Sequence, residues 1–192
     1  MIRRLALFLG TPALAAPLAL AQTSTWVPDK AHSGVDFSIL HMSLAKVRGH
    51  FGNIGGQIVW NEADITKSTV NVTIDVTTVN TGVTQRDNDL KSAKFFDATQ
   101  FPTATFVSTS VSKSGSGLTI SGNLTLHGVT KPVVLQVDGP TGPVNGMDKK
   151  PHAGFSATTT FKRTDFGIAT GLPTTVVDDD VALTIDLDVA KQ

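Results

Sequence analysis

The sequence predicts an all-β protein, an eight-stranded antiparallel barrel with one inserted α-helix, and three observations lead there. Thr, Val and Gly are abundant, while Glu62 is the single glutamate among sixteen acidic residues, a composition poor in helix formers. From Val35 onward apolar and polar residues alternate with period two, the mark of strands with one dry and one wet face. Turn signals punctuate the alternating runs at Ser114-Gly115-Ser116-Gly117, His127-Gly128, Gly139-Pro140 and Asn145-Gly146. The chain lacks any repeat of about 20 to 50 residues, which excludes a propeller or solenoid.

The chain starts with a short positive stretch, Met1–Arg4, and an apolar run, Leu5–Ala16, broken by Gly10, Thr11 and Pro12. Small residues at Ala19 and Ala21 then precede polar Gln22-Thr23-Ser24, the pattern of a signal-peptidase site. A membrane anchor needs about 20 well-packed apolar residues, and this stretch is shorter and interrupted by proline. Residues 1–21 are therefore expected to be a signal peptide cleaved after Ala21, and residues 22–192 a single domain exported to the periplasm or the medium.

The first alternating run is Val35-Phe37-Ile39-His41, followed by Ile54-Gly56-Ile58-Trp60 and Val70-Val72-Ile74-Val76. The rhythm then breaks. Over residues 86–96, Leu90, Ala93 and Lys94 stand at helical spacing, with Thr84 as a cap and Phe101-Pro102 closing the excursion. Alternation resumes at Ala104–Phe106, at Leu118-Ile120-Gly122-Leu124-Leu126, at Val133-Leu135-Val137, at Phe155-Ala157-Thr159-Phe161 and at Val181-Leu183-Ile185-Leu187-Val189. Eight one-sided strands leave a sandwich or a closed barrel. Even strand lengths and mostly short connections favour an up-and-down barrel of lipocalin type. The interior of such a barrel is either filled by side chains or holds one small ligand, and alternation does not choose between them.

Sixteen basic residues balance sixteen acidic ones, and loss of Arg3 and Arg4 with the leader leaves a net charge of −2. That charge supplies no broad positive field for nucleic acid or an anionic membrane. There is no cysteine, which removes disulfides, thiolate metal sites, a cysteine nucleophile and a lipoprotein anchor together. No nucleophile elbow, phosphate loop, dinucleotide fingerprint or zinc-protease helix is legible. None of the histidines at 32, 41, 50, 127 and 152 is spaced i, i+4 on a helix; a metal site remains open only by assembly from different strands, and neither a metal nor a catalytic residue is assigned. An enzyme would have to use His41 or His32 with an Asp as acid and base. Asp178-Asp179-Asp180 lacks the interleaved ligands of a calcium loop and reads as a solvated turn. His41 is in phase with Val35, Phe37 and Ile39 and is expected to point inward, either onto a backbone carbonyl or toward a ligand head. The aspartates beside Arg86 suit the positive end of the helix dipole. Phe37, Phe51, Phe106, Phe155 and Phe161 line a tunnel or simply fill the barrel.

Several stretches, in this order, make the chain resemble the YceI-like family of bacterial polyisoprenoid-binding proteins. They are Pro28-Asp29-Lys30-Ala31-His32-Ser33, His41 with Val47-Arg48-Gly49-His50-Phe51, and Asn80-Thr81-Gly82 with Arg86-Asp87 and Leu90. Phe95-Phe96-Asp97, Phe101-Pro102-Thr103, Gly122–Val133, Gly154-Phe155 and Arg163-Thr164-Asp165-Phe166-Gly167 complete the series. One position departs: where the family often carries a histidine before the helix leucine, this chain has Asp89. The resemblance implies a lipocalin-like barrel holding a long amphiphile such as an isoprenoid quinone, a polyprenyl phosphate or a fatty amide, with no chemistry performed on it and no cofactor beyond that lipid. The implied lining is Phe37, Ile39, His41, Phe51, Ile74, Phe106, Leu124, Leu126, Leu135, Phe155, Phe161 and Ile185, with His32, Arg86 and Arg163 as candidate head-group contacts. The implied role is carriage or sequestration of a lipid through water, the alternative being a secreted scavenger of foreign lipophiles such as hydrophobic antibiotics.

Overall fold

The computed structural model describes residues 22–192; the expected leader lies outside them. The strands are β1 (Thr23–Pro28), β2 (Gly34–His41), β3 (Ala45–Phe51), β4 (Gly55–Asn61), β5 (Thr69–Asp75), β6 (Thr103–Ser114), β7 (Gly117–Leu126), β8 (Val129–Asn145), β9 (Pro151–Lys162) and β10 (Val177–Lys191). The α-helix α1 spans Thr84–Lys91, and short 3-10 turns occupy Ile65–Lys67, Val76–Thr78 and Arg163–Phe166.

Ten segments make eight barrel strands. Along one edge of β10, β1 pairs at Val189–Lys191 and β2 pairs between Val177 and Asp186, so β1 and β2 form one long strand interrupted by the turn at 29–33. Their partners β4 and β3 are likewise one strand interrupted at 52–54. From there β5 to β10 follow in sequence order, each antiparallel to the last, and β10 closes back onto β1. Closure pairs β1 on both sides and, among the described residues, leaves β3 as the one strand held mainly from one side, by β2, with a single bridge, His50–Asn80, on its other edge. The alternation of the sequence underlies this ring, because each strand has one apolar face to bury and closing the sheet buries all of them at once.

Local chemistry explains where the elements begin and end. His127 and Gly128 both take positive φ (51° and 73°), the two-residue hairpin geometry whose twist matches the flanking strands. The helix is shorter than expected and is displaced toward the N-terminus. It follows Val83, which offers no capping side chain, so Thr84 is the first helical residue and not the cap. It ends before Ser92, whose hydroxyl donates to the Asp89 carbonyl at 2.6 Å, drawing the backbone out of the helix. Gly139-Pro140 is not a turn between strands: β8 runs through it with register shifts between Asp138 and Thr141, a bulge where proline forfeits no ladder bond.

Two glycines make room for aromatic rings from adjacent strands. A Cβ on Gly122 of β7 would overlap the Phe106 ring of β6 and the Val107 carbonyl, and one on Gly49 of β3 would overlap the Phe37 ring of β2. Gly122→Val is expected to lower stability by about 1–3 kcal/mol, because the ring has to leave its rotamer. Urea denaturation checks this, and an unchanged midpoint would refute the packing argument.

Candidate functional site

The inward face of β10 carries Val181, Leu183, Ile185 and Leu187. All four are only half-buried, as are Ile74, Leu135, Phe155 and Phe161 on other strands. Their exposed surface faces empty space inside the barrel. The barrel is hollow.

The space forms two compartments end to end. The first, among Trp60, Val70, Phe106, Leu118, Leu135, Phe155 and Ile185, has about 1010 Å³ of atom-free space when the solvent at its mouth is included. The second, about 820 Å³ on the same count, is walled by Phe37, Ile39, Phe51, Phe161, Leu90 of α1 and the Phe95-Phe96 turn that follows it. Val35, Ile74, Leu124 and Leu183, one each from β2, β5, β7 and β10, border both compartments and form a waist. On β7, Leu118 borders the first compartment and Leu126 the second. Eight residues of strand at about 3.3 Å each, tilted by about 40°, give about 20 Å along the barrel axis.

The walls are apolar almost throughout. Ser68 and Thr159 are the polar side chains of the first compartment, and Arg163 that of the second. Arg163 is 3% exposed, and its guanidinium is fully engaged. Nε donates to the Asp178 carbonyl at 2.9 Å, Nη1 to Ile168 and Ala169 at 3.0 and 2.6 Å, and Nη2 to Leu172 and Val177 at 2.9 and 3.0 Å. Five donors meet five carbonyls, so this cation organises the 163–177 loop over the barrel end and has no N–H left for a ligand. The Asp178–Asp180 run is structural in the same way. Asp179 accepts from the Thr164 amide and hydroxyl at 3.1 and 2.8 Å, and Asp180 meets Lys162 at 3.1 Å. Burial acts to raise the Asp179 pKa, yet the Thr164 hydrogen bonds and the nearby Lys162 and Arg163 charges hold it below the ordinary carboxylate value.

The first turn of α1 is tethered through Thr81. Its hydroxyl donates to Asp87 at 2.6 Å and accepts from Arg86 Nε at 2.8 Å, and Arg86 Nη2 reaches the Thr81 carbonyl at 3.0 Å. The Thr81 hydroxyl holds the Asp87 carboxyl below its usual pKa. Phe96, just beyond the helix, meets Phe51 edge-on at 5.5 Å and so joins the helix segment to the tunnel wall.

Of the residues singled out from the sequence, Phe106, Leu135, Phe155 and Ile185 border the first compartment. Phe37, Ile39, Phe51, Leu126 and Phe161 border the second, and Ile74 and Leu124 border both. His41 does not point inward: it is exposed and borders neither compartment. The chain turns over the rim directly after it, with Met42 and Ser43 at φ 53° and 55°, so the strand's inward phase runs out above the cavity. His32 lies on the outer surface, bonded to Asp29 at 3.0 Å, and Arg86 is turned to Thr81, so neither borders the tunnel. Leu183, Leu187 and Trp60 escaped selection although they share the same alternation. Leu90, Phe95, Phe96 and Ile168 come from segments with no period-two signal.

The YceI-like domain model matches residues 26–189. Protein YceI of Salmonella newport is 41% identical over 145 residues, 73% of each chain. Among solved structures, Burkholderia cenocepacia BcnA superposes with a TM-score of 0.72 at 25% identity, covering 84% of this chain and 98% of its own. A polyisoprenoid binding domain from Saccharophagus degradans shares the fold, with a TM-score of 0.63 at 17% identity over 89% of this chain and all of its own. A closed meander of eight strands, one short helix against the wall and a matching sequence across nearly the whole described chain agree: the protein belongs to the YceI-like family.

Proposed function

We propose that this barrel binds the apolar tail of a long-chain lipid of isoprenoid type and carries or sequesters it through water. The observation that carries this reading is the hollow interior, two joined compartments whose inward-facing apolar side chains are partly exposed to the space they enclose. A protein that needed only stability would fill such a space, because packing side chains into it gains dispersion energy. The resemblance to polyisoprenoid-binding relatives supports the ligand class.

Contact area is ample. Each five-carbon unit removed from water contributes about 3–4 kcal/mol gross, so five or six units approach the roughly 18–21 kcal/mol ceiling of non-covalent binding. Selectivity then rests on tunnel length and on branch fit at the waist. With the Arg163 donors already spent on carbonyls, the walls supply little for a polar head, which belongs at a rim in water. The sparse wall polarity, Ser68, Thr159 and a caged Arg163, supports binding without turnover. The leader expected over residues 1–21 supports the reading of an exported carrier, acting in the periplasm or outside the cell.

The test is mass spectrometry of an organic extract from gently purified mature protein. A stoichiometric prenyl quinone, polyprenyl phosphate or fatty amide is the expected result. A clean extract, with no response of the lipid-free protein to a polyprenyl quinone or a hydrophobic fluorophore, would overturn the reading.

A further inference from the structure

Outside the tunnel, on the seam where β1 closes onto β10, the metal-competent side chains Asp29, His152 and Asp188 from three distant stretches of chain converge, with His32 beside Asp29. Asp29 and His32 come from the turn joining β1 to β2, His152 from β9 and Asp188 from β10. Backbone bonds hold the turn on β10. The Asp29 N–H donates to the Asp188 carbonyl at 2.8 Å, and the Ser33 hydroxyl donates to that carbonyl at 3.0 Å while accepting the Asp188 N–H at 3.1 Å. The carboxylate of Asp188 is left facing His152, whose Nδ1 lies 2.6 Å from it, while Nε2 lies 3.2 Å from Asp148. Ligand atoms of Asp29, His152 and Asp188 all fall within 4.8 Å of one another, and His32 Nδ1 is 3.0 Å from Asp29. The cluster opens to solvent through an outer groove that both imidazoles line. None of the four side chains borders either tunnel compartment.

We propose that this cluster binds a transition-metal dication of the zinc class, with Asp29, His152 and Asp188 as ligands and His32 completing the set. Two imidazole nitrogens and two carboxylate oxygens suit a borderline ion in a four-coordinate site, whereas calcium and magnesium take oxygen ligands. Ligand atoms about 2.0–2.2 Å from zinc stand roughly 3.3 Å apart in a tetrahedron, so the spread of Asp29, His152 and Asp188 closes with small side-chain rotations. His32 joins them by swinging in from beside Asp29, and its 68% exposed side chain is free to do so. Two carboxylates balance the dication's charge. The ion would tie the β1–β2 turn to β9 and β10 at the closure of the ring, so its binding adds to the stability of the folded barrel and is independent of lipid.

The experiment is calorimetric titration and thermal denaturation of the lipid-extracted mature chain with zinc chloride, compared with calcium and magnesium chloride. One zinc per chain is expected, with a Tm that climbs with zinc concentration and does not respond to the other two ions. His152→Ala and His32→Ala are each expected to weaken zinc binding by about tenfold or more. His32 stands on an exposed turn, so its variant reports on the site even if the His152 variant folds poorly. His50→Ala, which removes the separate His50–Asp36 pair at 3.0 Å, is expected to leave zinc binding unchanged. Absence of zinc binding, equal binding of calcium or magnesium, or unaltered zinc binding in the His32 variant would overturn the proposal.

Discussion

Leu183→Trp is expected to weaken lipid binding by about 100-fold or more, while changing folding stability by less than about 1 kcal/mol. Leu183 stands in the waist between the two compartments and part of its side chain faces empty space. An indole there has room to lie in the void, so the wall need not move. A chain threading the waist would lose contact over at least one five-carbon unit, about 3–4 kcal/mol, and about 1.4 kcal/mol is tenfold in affinity. Calorimetric titration with a polyprenyl quinone, alongside urea denaturation, separates the two quantities. In a filled barrel the result reverses: overpacking costs about 1–3 kcal/mol of stability and there is no lipid affinity to lose.

Arg163→Met is expected to remove about 3–5 kcal/mol of stability. The substitution preserves most of the buried bulk but strips the donors from five carbonyls at residues 168, 169, 172, 177 and 178. The bonds to Ile168 and Ala169 are buried and the other three part-buried, so carbonyls that lose the guanidinium carry a desolvation cost that the loop's remaining backbone bonds do not offset. Against a typical total of about 5–15 kcal/mol, that loss leaves a marginal fold. Arg163→Lys is expected to recover only part of it, since an ammonium has three donors on one atom and cannot span five acceptors. Urea midpoints for both variants within about 0.5 kcal/mol of the parent would refute the cage as a source of stability.

Most of the architecture was legible because strand alternation is a local signal. Each of Val70–Val76, Leu118–Leu126 and Val181–Val189 announces its own inward face, and His127-Gly128 announces its hairpin. β1 and β3 were missed as strands for equally local reasons. The inward set of β1 is Ser24, Trp26 and Pro28, and that of β3 interrupts its apolar series with Gly49. Neither reads as alternation, yet both pair as halves of longer strands. The helix was found and misplaced by a few residues, because a serine hydroxyl bond to the backbone competes with helical continuation in a way that spacing does not reveal.

The sequence by itself determined the fold class, the strand faces, the neutral surface and the family likeness. Only the tertiary structure decided what those faces enclose. Whether eight apolar faces fill their common interior depends on strand tilt, ring closure and the summed volume of side chains from every strand at once, and no window of residues contains that sum. The same holds for single residues. Arg163 is caged by carbonyls up to fifteen residues away, His41 is carried past the rim by a hairpin turn, and Asp29 meets His152 and Asp188 only because β10 closes back onto β1. Alternation specifies direction from the local backbone; contact between distant segments is set by closure of the ring.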